Sequence, residues 1–242
     1  MSKLPNAPLL EVIFELRWKI QKKDDFAKYQ YLHGDFYSLI KQDYPIRRPL
    51  VPVDLPPGVY VNNPAHRFLG DQNKYPLIQI GPGILTINVN DEYYFWDEYY
   101  DLIAKMLEKF FSVYPNPSKT EFQPSLVYID FLSFDFNNED IIKYLSENLN
   151  LSINQDVLKE TGIPDSFKLK QSFNIDLGKL FLNFDTGINN AGEKGLIIQT
   201  KLTGNYQNLE VGEIKNWLNN SHDYCSVLFR KMTEGKLYES FK

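Results

Sequence analysis

From Leu9 to Trp18 apolar and polar side chains alternate: Leu10, Val12, Phe14, Leu16 and Trp18 share one face, and Glu11, Ile13, Glu15 and Arg17 the other. That period of two predicts a half-buried β-strand. Between residues 24 and 43 the spacing changes to three and four (Phe26, Tyr29, Leu32, Phe36, Leu39, Ile40), which predicts a helix stopped by Pro45. Residues 45–64 then hold six of the 14 prolines, a density that forbids a regular helix and disfavours a central strand. We expect a rigid surface excursion there.

Alternation returns in YPLIQIGPGILTINVN, residues 75–90, as two short strands bent around Gly81, Pro82 and Gly83. Proline followed by glycine suits the central positions of a type II turn. That turn matches hairpin twist poorly, so a loop wider than two residues is expected. A helix over residues 91–114 presents Trp96, Tyr99, Tyr100, Ile103, Met106, Leu107 and Phe110 as its apolar stripe. From Leu126 to Phe136 the alternation changes phase, odd at Val127, Ile129 and Phe131 and even at Leu132, Phe134 and Phe136. This implies a bulge or burial on both faces, and a strand that joins two halves. A helix over residues 138–149, capped by Asn137 or Asn138, is followed by strands over 167–176, 179–185 and 194–203. A closing helix spans residues 210–233.

Helices alternating with antiparallel strands make an α+β fold. The first six elements, βαββαβ, match a ferredoxin-like split unit over residues 1–136, with the proline-rich insertion at 45–64. The remaining αβββα elements form a second half over residues 137–242. Sheets covered by helices, packed as one composite domain, are the expected architecture.

Composition narrows the function classes. With 43% hydrophobic residues in 242, a packed core is expected and disorder is not. No run of 18 uncharged apolar residues occurs, and Glu11, Glu15 and Arg17 interrupt the first apolar stretch, which argues against a membrane span or a signal peptide and for the cytoplasm. Net charge is −5, with the excess acid confined to residues 121–242. Nucleic-acid binding needs concentrated Lys and Arg. The small clusters Lys19, Lys22, Lys23 and Arg47, Arg48 read as solvated faces.

Strand parity places Glu11, Glu15, Arg17, Gln79, Thr86 and Asn88 on one side of a shared sheet, opposite the helices. These six are the candidate binding residues, since carboxylates beside an arginine can order a partner's charged groups. The plainer alternative is a cross-strand salt-bridge lattice packed against the second half. No catalytic constellation, metal set or cofactor motif is assigned. His222 and Cys225, three apart on the last helix, have the types of a nucleophile and its base. They lack a third orienting group, and Cys225 lies in the apolar stripe. His33 and His66 show no metal-ligand spacing. Asp130, Asp135, Asp176 and Asp185 lie in or at the ends of strands, where aspartates most often cap turns.

The segments LPNAPLLEVIFELRW (4–18), PLIQIGPGILTINV (76–89), LVYIDFL (126–132) and a final helix with Trp217, His222 and Phe229 resemble a sporadically distributed bacterial family of about this length, of uncharacterised function. The chain departs from that family's pattern at Val127 and Asp130, where Arg and Asn are preferred. The patchy distribution that the resemblance implies is the behaviour of defence or toxin–antitoxin genes. The functional expectation is therefore a non-catalytic, cytoplasmic protein-interaction subunit, its partner a neighbouring-gene product. A hydrolase or nuclease using the strand aspartates or His222 and Cys225 is the alternative, and RNA binding a weaker one.

Overall fold

A computed structural model describes residues 3–20, 23–52, 54–71, 74–158, 160–189 and 191–242. Its nine strands are β1 (Leu9–Trp18), β2 (Ile46–Pro49), β3 (His66–Leu69), β4 (Leu77–Gly81), β5 (Ile84–Asn90), β6 (Phe122–Ser133), β7 (Lys168–Ile175), β8 (Gly178–Ile188) and β9 (Lys194–Thr203). The helices are α1 (Lys23–Ile40), α2 (Trp96–Val113), α3 (Ile141–Asn148), α4 (Val211–Thr233) and α5 (Lys236–Ser240). The fold is α+β, and no helix among the described residues is long and apolar enough to cross a membrane.

All nine strands form one antiparallel sheet in the order β2-β3-β4-β5-β1-β6-β9-β8-β7. The βαββαβ order expected of the first half is interrupted at one point: two four-residue strands, β2 and β3, lie between α1 and the hairpin. The first of these was masked by its own residues: β2 sits at the sheet edge and ends on Pro49, where a missing amide costs no ladder bond.

The described helices pack on one face of the sheet. Val12, Phe14, Leu16 and Trp18 of β1 meet Phe36 of α1 and Phe110 of α2 in one apolar cluster. Leu180, Leu182, Phe184, Leu196 and Ile198 meet α3 and α4 in a second. Tyr128 and Trp217 touch both clusters, so β6 and α4 form the seam. Trp18 is buried against Phe110, Tyr114 and Phe122, with ring centroids 5.2–6.5 Å away.

Local details explain the register. The Pro82–Gly83 loop has two residues, because Gly81 pairs directly with Ile84, and not the wider loop expected. Gly83 takes φ +86°, the left-handed region a type II turn requires of its second central residue. The loop is tied on both sides, since Trp18 N–H donates to Gly83 O (3.1 Å) and Asn62 N–H to Pro82 O (2.7 Å). Of the two readings of residues 126–136, burial on both faces holds at Leu126 and Val127, whereas β6 pairs with β9 without interruption and the bulge lies in the partner strand, where the β1–β6 register shifts between Leu9 and Glu11. Helix α3 starts three residues later than expected and is capped by Asp140, whose carboxylate accepts from the amides of Ile142 and Lys143. A reciprocal Glu210–Glu213 capping box opens α4.

Candidate functional site

The helix-free face carries all six residues singled out for binding. They are already bonded to one another. Arg67 Nε donates to Gln79 Oε1 (3.1 Å), Gln79 Nε2 to Thr86 Oγ1 (3.1 Å) and Asn88 Oδ1 (3.4 Å), and Asn88 Nδ2 to Glu11 Oε1 (2.8 Å). Tyr75 O–H closes the chain on Glu11 (3.2 Å). Glu15 meets Lys201 of β9 at 2.7 Å and Arg17 at 3.3 Å. Burial alone would raise the Glu15 pKa, yet these two cations hold it below the usual carboxylate range. Gln79, Thr86 and Asn88 are buried. The second half meets this lattice sideways, through the same sheet, and does not pack over it.

The helix face holds a different arrangement at the seam. A cavity of about 960 Å³ lies between the 3–9 segment, the start of α2, the centres of β6 and β9, and α4. Period-two geometry sets its floor: Tyr128 and Asp130 of β6 and Thr200 of β9 point to the same face, with Tyr128 directly opposite Thr200. Helical spacing sets one wall, because His222, Cys225 and Phe229 follow at intervals of three and four along α4. Tyr94, Phe95 and Trp96 close the other side.

The His222 ring stacks on Trp96, centroids 3.7 Å apart and planes within 8°. Its Nδ1 lies 2.8 Å from Tyr128 Oη and 3.4 Å from Tyr94 Oη, and the two phenols are 3.1 Å apart. Burial lowers the His222 pKa to about 4, so the ring is neutral near pH 7. Burial also pushes both phenols well above the ordinary tyrosine range.

Asp130 stands apart. It is 5% exposed, and its carboxyl makes no hydrogen bond or ion pair among the described residues. Burial raises its pKa to about 7, with no cation to oppose the shift. An aspartate in this condition is costly unless something enters to meet it. At the rim, Lys3 pairs with Asp91 (3.1 Å) and lies over the Phe95 ring. Arg230 lies over the Tyr238 ring.

The strand residue Asp130 and the helix pair His222 and Cys225, two separate candidates in the sequence, therefore line one cavity. Cys225 is buried, and its thiol is pushed up to about 12 by that burial, which leaves it protonated and a poor nucleophile. Asp135 accepts from the Asn137 amide and the Asn138 side chain at a turn, and Asp185 pairs with Lys168 across β7 and β8. His33 and His66 stack on each other 4.2 Å apart at the opposite end of the sheet, beside Arg47 and Tyr29. Among the described residues no group of three or more His, Cys, Asp or Glu side chains is placed to hold a metal ion. Of the first basic cluster, Lys19 pairs with Glu121 at 2.8 Å, and Lys22 and the side chain of Lys23 lie outside the described residues. Sequence reasoning missed Tyr94 and Tyr128, and read Trp96 as core stripe. The pairing of a polar-tipped ring with an adjacent strand aspartate in YID, residues 128–130, was the available signal.

Comparison with protein-family models, curated proteins and solved structures finds no match for the chain.

Proposed function

We propose that the chain is a small-molecule-binding protein whose ligand occupies the seam cavity and meets Asp130. One observation carries this reading: a nine-tenths-buried carboxyl without a partner among the described residues, facing a cavity whose walls are aromatic. A volume of about 960 Å³ lies at the upper end of the range for organic ligand sites, and aromatic walls with a few convergent polar groups are their usual lining. Neutral His222 and the paired phenols add one hydrogen-bonding edge to the same space.

The test uses the protein's three tryptophans. Only Trp96 lines the cavity, whereas Trp18 is core and Trp217 donates its indole N–H to Leu177 O (2.9 Å). A fragment library screened by NMR should contain molecules that move the Trp96 indole resonance and leave Trp18 in place. A library of amines, alcohols and acids that leaves Trp96 unmoved refutes the reading.

The protein-interaction role expected from the sequence stands as a separate proposal. It is favoured by the helix-free face, since the described α-helices all pack on the other side. Variants on opposite faces separate the two: Arg17→Glu should leave fragment binding intact, and Asp130→Asn should leave partner capture intact.

A further inference from the structure

We propose that the ligand of the seam cavity is an organic cation, an amine or alkylammonium whose nitrogen sits at the Asp130 carboxyl and whose carbon body lies against Trp96, Tyr94 and Tyr128. This rests on the cavity being a ligand site and adds the chemical class. Charge is the first argument. Among the described residues the two cations at the rim are engaged, Lys3 with Asp91 and Phe95, Arg230 with the Tyr238 ring. The Asp130 and Asp97 carboxylates that line the same space have no ion-pair partner among the described residues. An anion entering here would meet unopposed carboxylates, and a neutral body would leave Asp130 as it is. A cation supplies the missing partner.

The walls are the second argument. Phe95, Tyr94, Trp96, Tyr128, Phe229 and Tyr238 surround the space, and an aromatic face attracts a positive charge through its quadrupole, most strongly when water is excluded. Lys3 over Phe95 (5.4 Å) and Arg230 over Tyr238 (5.8 Å) show the rim rings already used in this way. The inner rings, Tyr94 and Tyr128, have no such cation among the described residues. The His222 ring, stacked on Trp96, is uncharged near neutral pH and does not compete.

The experiment compares benzylamine, 2-phenylethylamine and butylamine with alcohols of the same carbon skeletons, by calorimetry at pH 8, with the Trp96 indole resonance reporting the place of binding. At least one amine should bind about tenfold more tightly than its alcohol, equal to about 1.4 kcal/mol. Asp130→Asn should abolish that difference while leaving the alcohol's affinity within about twofold, so the alcohol arm doubles as a check that the variant's cavity is intact. If alcohols bind as tightly as amines in the native protein, the cation assignment falls and the cavity reading stands. If neither series moves Trp96, the cavity reading falls and takes this one with it. The native comparison decides the question even where Asp130→Asn does not fold.

Discussion

Replacing Asp130 with Asn exchanges a buried, unpartnered acid for an amide of nearly the same shape, and the consequence depends on pH in a direction that can be worked out beforehand. In the folded chain the carboxyl gives up its proton near 7, against an ordinary value of 3.8. Below pH 3.8 the acid is protonated in both states and costs nothing extra. As pH rises from there, the unfolded chain ionises while the folded chain still holds its proton, so the folded state binds more protons and stability falls. The loss is complete above about 7. The difference between the two titration points corresponds to roughly 4 kcal/mol, a large part of the 5–15 kcal/mol typical of a folded domain. The Asn variant lacks this term. Its stability advantage over the native protein should therefore be near zero at pH 4 and reach roughly 4 kcal/mol at pH 8. Urea unfolding followed by tryptophan fluorescence, repeated on both proteins at half-unit pH intervals, measures it. Distant histidines titrate in both proteins and cancel in the difference. His222 lines the same cavity, so the cycle is repeated on a His222→Phe background. A difference that stays flat between pH 4 and 8 would refute the reasoning, because it would mean that Asp130 is solvated or paired. A stability cost retained at a cavity wall is the usual mark of a residue kept for binding.

Three other perturbations test other parts of the molecule. Gln79→Ala breaks the bridge from Arg67 to Thr86 and Asn88 and leaves buried amide and hydroxyl groups unmatched, so it should lower the urea-derived stability by about 1–3 kcal/mol. Gly81→Ala would place a methyl 1.9 Å from the Asn63 carbonyl oxygen. The proline-rich segment should lift off the hairpin, seen as faster proteolysis within residues 54–64 and a loss of about 1–3 kcal/mol. His66, held at about 4 by burial beside His33 and Arg47, binds fewer protons folded than unfolded. Its contribution is complete above pH 6.5 and is lost as pH falls toward 4, so His66→Gln should flatten the acid limb of the stability profile in chemical denaturation.

The strands with a strong local period are legible in the order of residues alone. β1 and β9 begin and end where alternation places them, and the parity of β1, β4 and β5 puts Glu11, Gln79 and Asn88 on one face, because a period of two is a property of the strand itself. The four-residue strands β2 and β3 carry too few residues for a period, and prolines on either side disguise them. β5 alternates in sequence yet is buried on both faces, since the polar side chains of one face satisfy each other. The cavity is legible only in fragments. Asp130 and His222 each stand out by residue type, but their meeting depends on β6 lying under α4, a long-range contact that no local pattern encodes. Tyr128 reads as an ordinary strand aromatic until its hydroxyl is seen against His222.

The central position of β1 has a bearing on how the chain is made. Of these nine strands it is synthesised before the other eight, yet Phe14 waits for Ile87 on one side and Leu126 on the other before it is enclosed. Until then an apolar ribbon, Val12, Phe14, Leu16 and Trp18, is displayed on the nascent chain, the kind of segment that pairs with copies of itself. Glu11, Glu15 and Arg17 occupy the alternate positions, and charges spaced in this way act as gatekeepers against such pairing. The residues that knit the finished sheet through Asn88 and Lys201 thus also guard the strand during its long exposure at the ribosome.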